Sequence, residues 1–343
     1  MNLSIQRETT LSVFMPNYNH AAYLPTALDA LLKQTLPATK IYIVDDASTD
    51  NSRTIIESYA LRYPNIIVPR FLNENRGCIQ NVKDWLEFDE SDFIFIAAAD
   101  DRIHPTLFEE SLTLLRRFPQ AGVCSAYSRY MDANGNDLGR FKSWGPLQTP
   151  GYITPQEAER FLLARDSWFV GTTTVYRGAI LRAQGYDAIL GGFADGFVCR
   201  VMALRGGVCF IPSELAHWRE LSTGMAAQDL TVPALVHRVL TRATELMRGP
   251  YRNLFSDEHI RRWNGRWLFW AVVAIYGLQK KQRRNSLNEL LQPYSKSMQV
   301  ILRFCGLLTL GSNCILGKLA AFLYLRPFDL LPALSRALSR LSR

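Results

Sequence analysis

The sequence predicts an α/β fold: a mixed, mainly parallel sheet flanked by helices, followed by a helical C-terminal extension. Three observations carry this expectation. Short β-rich apolar runs alternate with helical stripes through the first third of the chain. Pairs of carboxylates stand just past two of those runs, where open α/β sheets bind ligands. From about Val232 onward every apolar pattern has helical spacing.

Leu11–Met15 reads as a strand that ends at the turn-forming cluster Pro16-Asn17-Tyr18-Asn19, and Leu24, Leu28, Leu31 and Leu32 then mark one face of a helix. Ile41–Val44 is a short buried strand stopping at Asp45-Asp46. A helix with Ile55, Ile56 and Tyr59 facing inward follows, then a strand at Ile66–Phe71. Asn73–Gly77 is a loop, and a helix runs from about Ile79 to Glu87. The nearly all-apolar strand Phe93–Ala97 stops at Asp100-Asp101. Pro105 starts a helix striped by Leu107, Leu112 and Leu115, which Pro119 closes. Such alternation predicts βαβ units.

The pattern changes after Gly122. Cys124–Met131 and the residues after Asn134-Gly135 read as a hairpin with a tight turn. Thr154 and Glu157 make a capping box ahead of a helix ending near Arg165. Trp168–Arg177 is strand-like, and Gly185 caps the helix after it. Asp195 opens a helix carrying Val198, Val201 and Met202, which Gly206-Gly207 terminates. Val208–Ile211 and Leu215–Arg219 read as two short strands.

With 343 residues, 48% of them hydrophobic and 20% charged, the chain has room for one large globular domain and an appendage. Six cysteines form no CxxC or CxxH cluster, which fits a reducing compartment better than a disulfide framework or a zinc site. The N-terminal MNLSIQRETT has no apolar run, so no signal peptide is expected. The net charge of +8 is unevenly spread: residues 1–230 carry 21 Lys and Arg against 26 Asp and Glu, whereas residues 231–343 carry 18 against five. We expect a domain boundary near residue 230, with a basic helical extension at 231–343.

Adjacent aspartates at the ends of buried strands repel each other and resist desolvation, so cations or hydrogen-bond donors must compensate them. A hard divalent ion shared with phosphate oxygens is one solution. The alternative is that one Asp of each pair caps the next helix, a task that Asp50 or Ser52 also fits.

Three stretches together resemble family 2 glycosyltransferases of the GT-A fold: Ser12-Val-Phe-Met-Pro-Asn-Tyr-Asn19, Ile43-Val-Asp-Asp-Ala-Ser-Thr-Asp-Asn-Ser52 and Ile96-Ala-Ala-Ala-Asp-Asp-Arg-Ile-His-Pro105. The resemblance covers about residues 10–225 and implies a Rossmann-like nucleotide-sugar-binding domain at 1–230. It implies an inverting, metal-dependent hexosyl- or related transferase using a nucleotide diphosphate donor, a UDP-sugar in many relatives. Pro16 and Tyr18 would line the base pocket, Asp46 would accept from the base, and Asp100 would contact the ribose. Asp101 would ligate Mn2+ or Mg2+, and Arg76 would approach the nucleotide unless it is a solvated surface residue. Many relatives read Asp-x-Asp-Asp where this chain has Ala98-Ala99-Asp100-Asp101, so weak metal binding without nucleotide is expected.

The resemblance also places the catalytic base at Asp195, where the family usually shows Glu-Asp and this chain has Ala194-Asp195. Inverting transfer needs one carboxylate to take the acceptor hydroxyl's proton; helix capping is the plainer reading of the same residue. Gly171 and Thr172 resemble the acceptor-side segment, where a glycine would let substrate approach the backbone. His217, Trp218 and Arg219 resemble the closing loop near diphosphate and acceptor. Trp218 would stack on a sugar and Arg219 would pair with phosphate; alternatively Trp218 is core, Arg219 a surface ion-pair residue and His217 structural. Ala98 and Ala194 keep open a second function, a catalytically silent nucleotide- or saccharide-binding relative.

The basic tail combines the apolar runs Trp267–Leu278, Phe304–Gly317 and Leu319–Leu325 with arginines, and its end places Leu334, Leu338 and Leu341 on one face. No run reaches the roughly 20 apolar residues of a spanning helix, although a tilted span from Phe304 to Leu325 is the competing reading. Nucleic acid is not the expected partner, since no recognition motif accompanies the charge. We expect a cytoplasmic protein, peripheral on the anionic inner face of the cell membrane. Its acceptor would be a saccharide or polyprenyl-linked saccharide in cell-surface polysaccharide synthesis.

Overall fold

Leu11–Asn17 (β1) is buried along nearly its whole length, as an apolar run flanked on both sides by parallel strands must be. Lys40–Asp45 (β2) lies on one side of it and Phe93–Ile96 (β4) on the other, and Ile67–Phe71 (β3) extends the sheet beyond β2, all parallel. The chain steps outward from β1 to β3 and then returns to the opposite side of β1. That reversal creates a switch point between β1 and β4, and a crevice opens beyond strand C-termini at such points. This computed structural model describes residues 9–141, 144–221, 229–307 and 315–330.

Val175–Arg177 (β9) runs antiparallel to β4 and joins it to Val123–Met131 (β6), Val208–Arg219 (β10) and Arg102–Ile103 (β5). Asp137–Arg140 (β7) and Gly151–Ile153 (β8) pair with β6 and β10, giving ten strands in this sheet among the described residues. Helices Leu24–Leu32 (α1), Ser52–Arg62 (α2), Cys78–Leu86 (α3) and Leu107–Arg117 (α4) separate the early strands. Leu24, Leu28 and Leu31 of α1 join Val13, Ile41, Phe95 and Leu112 in one core. The expected mixed, mainly parallel α/β architecture is therefore present, with helices following in the C-terminal region.

Pro155–Arg165 (α5) begins with the reciprocal capping box: Thr154 N–H donates to Glu157 Oε2 at 2.9 Å and Glu157 N–H to Thr154 Oγ1 at 3.3 Å. Gly178–Gln184 (α6) ends at Gly185, whose φ of 65° suits glycine. Ala194–Gly206 (α7) stops at Gly207.

Three local expectations need correction. Trp168–Arg177 is not one strand, because Gly171–Thr173 turns as a 3-10 helix and only Val175–Arg177 pairs. Thr173 Oγ1 fixes that turn, bonding the backbone of Ala126 and of Val170 within 3.1 Å. Val208–Arg219 is a single strand, with register shifts near Pro212 and Ser213 where two short strands were expected. The β6–β7 turn is longer than a two-residue hairpin, since Asp132 Oδ1 accepts from the N–H groups of both Asn134 and Asn136.

The described residues fall in two compact units. One draws on Met1–Ala158, Ser167–Ala188 and Ala194–Leu221; the other draws on Glu159–Asp166, Ile189–Phe193 and Ser222–Arg343. The second is helical: Pro233–Arg248 (α8), Asp257–Tyr276 (α9), Lys280–Leu291 (α10), Lys296–Leu307 (α11) and Ile315–Leu325 (α12). Two short segments from before residue 230 belong to it for visible reasons. Arg266 donates to the carbonyls of Leu162 and Leu163, and the Phe193 ring packs on Trp263 and Trp267. Arg266 also forms a buried ion pair with Asp329 at 2.6 Å, which Arg326 shares.

No helix among the described residues is long and apolar enough to cross a membrane. The expected amphipathic face of Leu334, Leu338 and Leu341 lies outside the described residues, as does the middle of the stretch Phe304–Leu325.

Candidate active site

The two carboxylate pairs are compensated in different ways. Asp45 ends β2 and Asp46 follows it, and both are buried. Asp45 Oδ1 accepts from Asn17 Nδ2 at 2.7 Å and from Ser48 Oγ at 2.6 Å, so the ends of β1 and β2 and the following loop are tied together. Asp46 Oδ1 accepts from the Arg76 N–H and Oδ2 from the Gly77 N–H, each at 2.8 Å. Gly77 takes a φ of +82°, which explains a glycine there. Neutral donors, mainly side-chain ones for Asp45 and backbone ones for Asp46, thus compensate this pair without a cation. Each Asp46 oxygen keeps a further lone pair for a ligand.

Pro16 is half-buried opposite Val44, and the Tyr18 ring is exposed beyond it. The Arg76 guanidinium forms an ion pair with Asp84 of α3 at 2.7 Å, so only its backbone meets Asp46.

Asp100 and Asp101 have fewer donors. Asp101 is buried and its Oδ1 accepts the Arg219 N–H at 2.8 Å. Burial and the Asp100 charge push the Asp101 carboxyl up to about 7, while the Arg219 N–H and the Thr172 hydroxyl oppose the rise. Burial raises Asp100 as well, against His20, whose Nδ1 lies 3.9 Å from Asp100 Oδ2. That ring nitrogen is buried without a hydrogen-bond partner. Among the described residues no cluster of three or more His, Cys, Asp or Glu side chains could hold a metal by itself. An under-compensated carboxylate pair nevertheless fits a hard divalent cation that takes its remaining ligands from phosphate and water.

Arg219 is not a surface residue. Its Nε donates to the Asp100 carbonyl at 2.7 Å, its Nη1 to the Asp132 and Ala133 carbonyls, and its guanidinium lies 4.5 Å from the centre of the Tyr23 ring. These bonds make it an organiser of the Asp100–Asp101 corner. Trp218, half-buried, stacks on Tyr130 and meets Phe141. His217 sits opposite Arg102, and burial followed by the Arg102 charge lowers its pKa.

Asp195 lies in the first turn of α7 rather than at its N-cap, and its Oδ1 accepts the Gly196 N–H at 2.5 Å. Burial raises its pKa, and Gly196 and then Arg200 oppose the shift. The Gly171 backbone is pressed against its other oxygen: a Cβ at position 171 would stand 2.5 Å from Asp195 Oδ2. The space a side chain would need at this glycine is taken by the candidate base. The next residue, Thr172, faces Asp101. One 3-10 turn therefore lies against Asp195 and lines the cavity that Asp101 borders.

Sequence reasoning missed several contributors. Asn17 and His20 lie in or beside a quoted motif but carried no assigned role. Behind Asp195, the Tyr186 hydroxyl donates to that of Tyr176 at 3.3 Å, and Tyr176 reaches Cys199 Sγ at 3.6 Å. Burial, and then the Asp195 charge, push the Tyr186 hydroxyl up. Nothing in the local sequence marks that cluster.

Residues 12–181 match the family described as glycosyl transferase family 2. The chain belongs to glycosyl transferase family 2. Among curated relatives, a Mycobacterium tuberculosis protein is 29% identical over 220 residues, 63% of this chain and 60% of the relative. The chain thus spans less than two thirds of that relative's length. The Escherichia coli glycosyltransferase YibD is 34% identical over 105 residues, 30% of each chain. Among solved structures, S. aureus TarS bound to UDP-GlcNAc aligns over 92% of this chain and 91% of its own, with TM-score 0.62 and 16% identity. A Pyrobaculum calidifontis mannosyltransferase bound to GDP-Man and Mn2+ aligns over 91% and 85%, with TM-score 0.53 and 16% identity. These likenesses establish the GT-A-type fold of this family 2 glycosyltransferase.

Proposed function

We propose that this glycosyltransferase moves a sugar, with inversion, from a nucleoside diphosphate, a UDP-sugar in the first instance, to a saccharide or lipid-linked hydroxyl. The observation that carries the reading is the Gly171–Thr173 turn, which lies against Asp195 at Gly171 and lines the same small cavity as Asp101 at Thr172. Both carboxylates therefore border one short turn. Inverting transfer needs that arrangement, a base beside the attacking hydroxyl and an anion-stabilising corner beside the leaving diphosphate.

In this reading Pro16, Tyr18 and Asp46 form the base pocket, with Asp46 also fixing the Arg76–Gly77 loop that borders it. Asp100 takes the ribose. Asp101, with Asp100 beside it, would hold Mn2+ or Mg2+, as the mannosyltransferase structure contains Mn2+ with its donor. Such an ion supplies Lewis-acid stabilisation of the departing diphosphate. Asp195 accepts the acceptor proton. Its raised pKa makes it a stronger base than an exposed aspartate. Arg219 positions Asp101 through its N–H, and the Trp218 group and His217 border the acceptor side.

The basic helical unit supports a second part of the proposal. Eighteen Lys and Arg against five Asp and Glu in residues 231–343 favour an anionic membrane surface, and with it a polyprenyl-linked or other surface-polysaccharide acceptor. The reading is tested by nucleotide release from UDP-sugars and GDP-mannose with Mn2+. Release stopped by a chelator supports it; tight donor binding without any release would favour a silent binding relative.

A further inference from the structure

Helices α11 and α12 each carry two apolar faces where a surface helix needs one. On α11, Leu302, Cys305 and Gly306 point inward, while Val300, Phe304 and Leu307, at i, i+4 and i+7, stand exposed. On α12, Ala321 and Leu325 are buried, while Leu316, Leu319 and Leu323, at i, i+3 and i+7, stand exposed. Phe304 is 59% exposed and Leu316 63%. The two helices pack against each other, so the exposed stripes belong to one hairpin-like pair. A helix that is apolar all round requires a non-aqueous neighbour on its outer side.

The charges on the pair say which neighbour. Lys296, Arg303 and Lys318 are exposed on these helices, and neither helix contains an acidic residue. In a two-fold dimer the same patch would face itself, setting cation against cation with no carboxylate to pair. A bilayer rich in anionic lipid offers acyl chains for the leucines and phosphates for the lysine and arginine heads, whose stems can snorkel. Exposed Trp270 of α9 and Tyr324 of α12 add ring types favoured at the lipid–water boundary, and the Arg326 guanidinium lies over Phe269, Trp270 and Phe322. Twelve residues of α11 extend about 18 Å, against the roughly 30 Å of a hydrocarbon core. Such a helix lies in the interface plane and does not cross.

We infer that the outer face of α11 and α12 is a monotopic docking surface for an anionic bilayer. The inference rests on the membrane reading above and goes further by assigning the inserted face.

The test is co-sedimentation of the full chain with phosphatidylcholine vesicles and with mixed phosphatidylcholine–phosphatidylglycerol vesicles, at low and high salt. Wild type should bind the mixed vesicles, retain part of that binding at high salt, and bind phosphatidylcholine poorly. The double variant Phe304→Ser/Leu319→Ser should lose binding by on the order of tenfold, with an unchanged melting curve and unchanged UDP binding, since both positions are exposed. Arg303→Gln/Lys318→Gln should weaken binding and blunt its dependence on phosphatidylglycerol. Equal binding by wild type and the Phe304/Leu319 variant would leave the membrane reading standing and overturn this face. No binding by wild type would overturn both. A vesicle-free dimer that the same variant dissociates would make a second copy the occupant and overturn the proposal.

Discussion

Gly171 and Asp195 are in such close contact that no side chain fits between them: a Cβ on residue 171 would lie 2.5 Å from Asp195 Oδ2. The glycine is thereby a condition for where the candidate base sits. Gly171→Ala should push the carboxylate away from the acceptor side, lowering turnover on the order of 100-fold, as small misplacements do. The UDP-induced shift in melting temperature should stay the same. An alanine variant with normal turnover would separate the glycine from the chemistry.

Asp101 provides a pH signature. Its folded pKa is pushed up to about 7 from an ordinary 3.8. Between those values the folded protein holds a proton that the unfolded chain has lost, so metal-free stability falls as pH rises through that window. Asp101→Asn removes the ionising group, so the variant should melt above wild type at about pH 8 and close to it near pH 4. Mn2+ with UDP should raise the wild-type melting temperature at the higher pH and leave the variant nearly unmoved. Parallel melting curves for the two proteins across this range would contradict the assignment.

Asp46 and Arg76 should separate cleanly on mutation. Asp46→Ala removes the acceptor of the Arg76 N–H and leaves Gly77 N–H only Asn75 Oδ1, costing about 1 kcal/mol in stability and raising the donor KM more than it lowers kcat. Arg76→Ala removes only a half-exposed ion pair with Asp84, worth about 0–1 kcal/mol. Urea unfolding and donor titration together check both. A larger KM effect from Arg76→Ala than from Asp46→Ala would place the guanidinium, not the carboxylate, at the nucleotide.

In the helical unit, Arg266 is held by Asp329 and by two backbone carbonyls. Arg266→Leu leaves those acceptors buried and should cost about 3 kcal/mol or more, read as a lowered urea midpoint.

Much of the fold was legible because its signals are local. Alternating apolar runs and helical stripes mark β1 to α4, and the Thr154–Glu157 cap and the Gly185 stop were readable to within a residue. Apart from the β6–β7 turn, which Asp132 lengthens locally, the misreadings are long-range. Apolar content alone made Trp168–Arg177 look like a strand, whereas Thr173 turns it by bonding the backbone of Ala126, 47 residues away. That Arg219 donates to the carbonyls of Asp100, Asp132 and Ala133 was not legible, because nothing nearby in sequence shows it. The carboxylates themselves were visible, as was a special role for Gly171. What Gly171 touches was not, since that depends on how α7 packs beside the turn.

The most direct measurement is nucleotide release by Asp195→Asn beside wild type, from the UDP-sugar or GDP-mannose donor that wild type turns over with Mn2+. The amide preserves shape and removes the base, so turnover should fall on the order of 10²–10⁴-fold, with donor affinity unchanged. The wild-type rate should decline toward acid as Asp195 protonates, at a pH above the ordinary carboxylate range because burial raises its pKa. Near-normal turnover in the Asn variant, or loss of donor binding along with turnover, would contradict a catalytic base at Asp195.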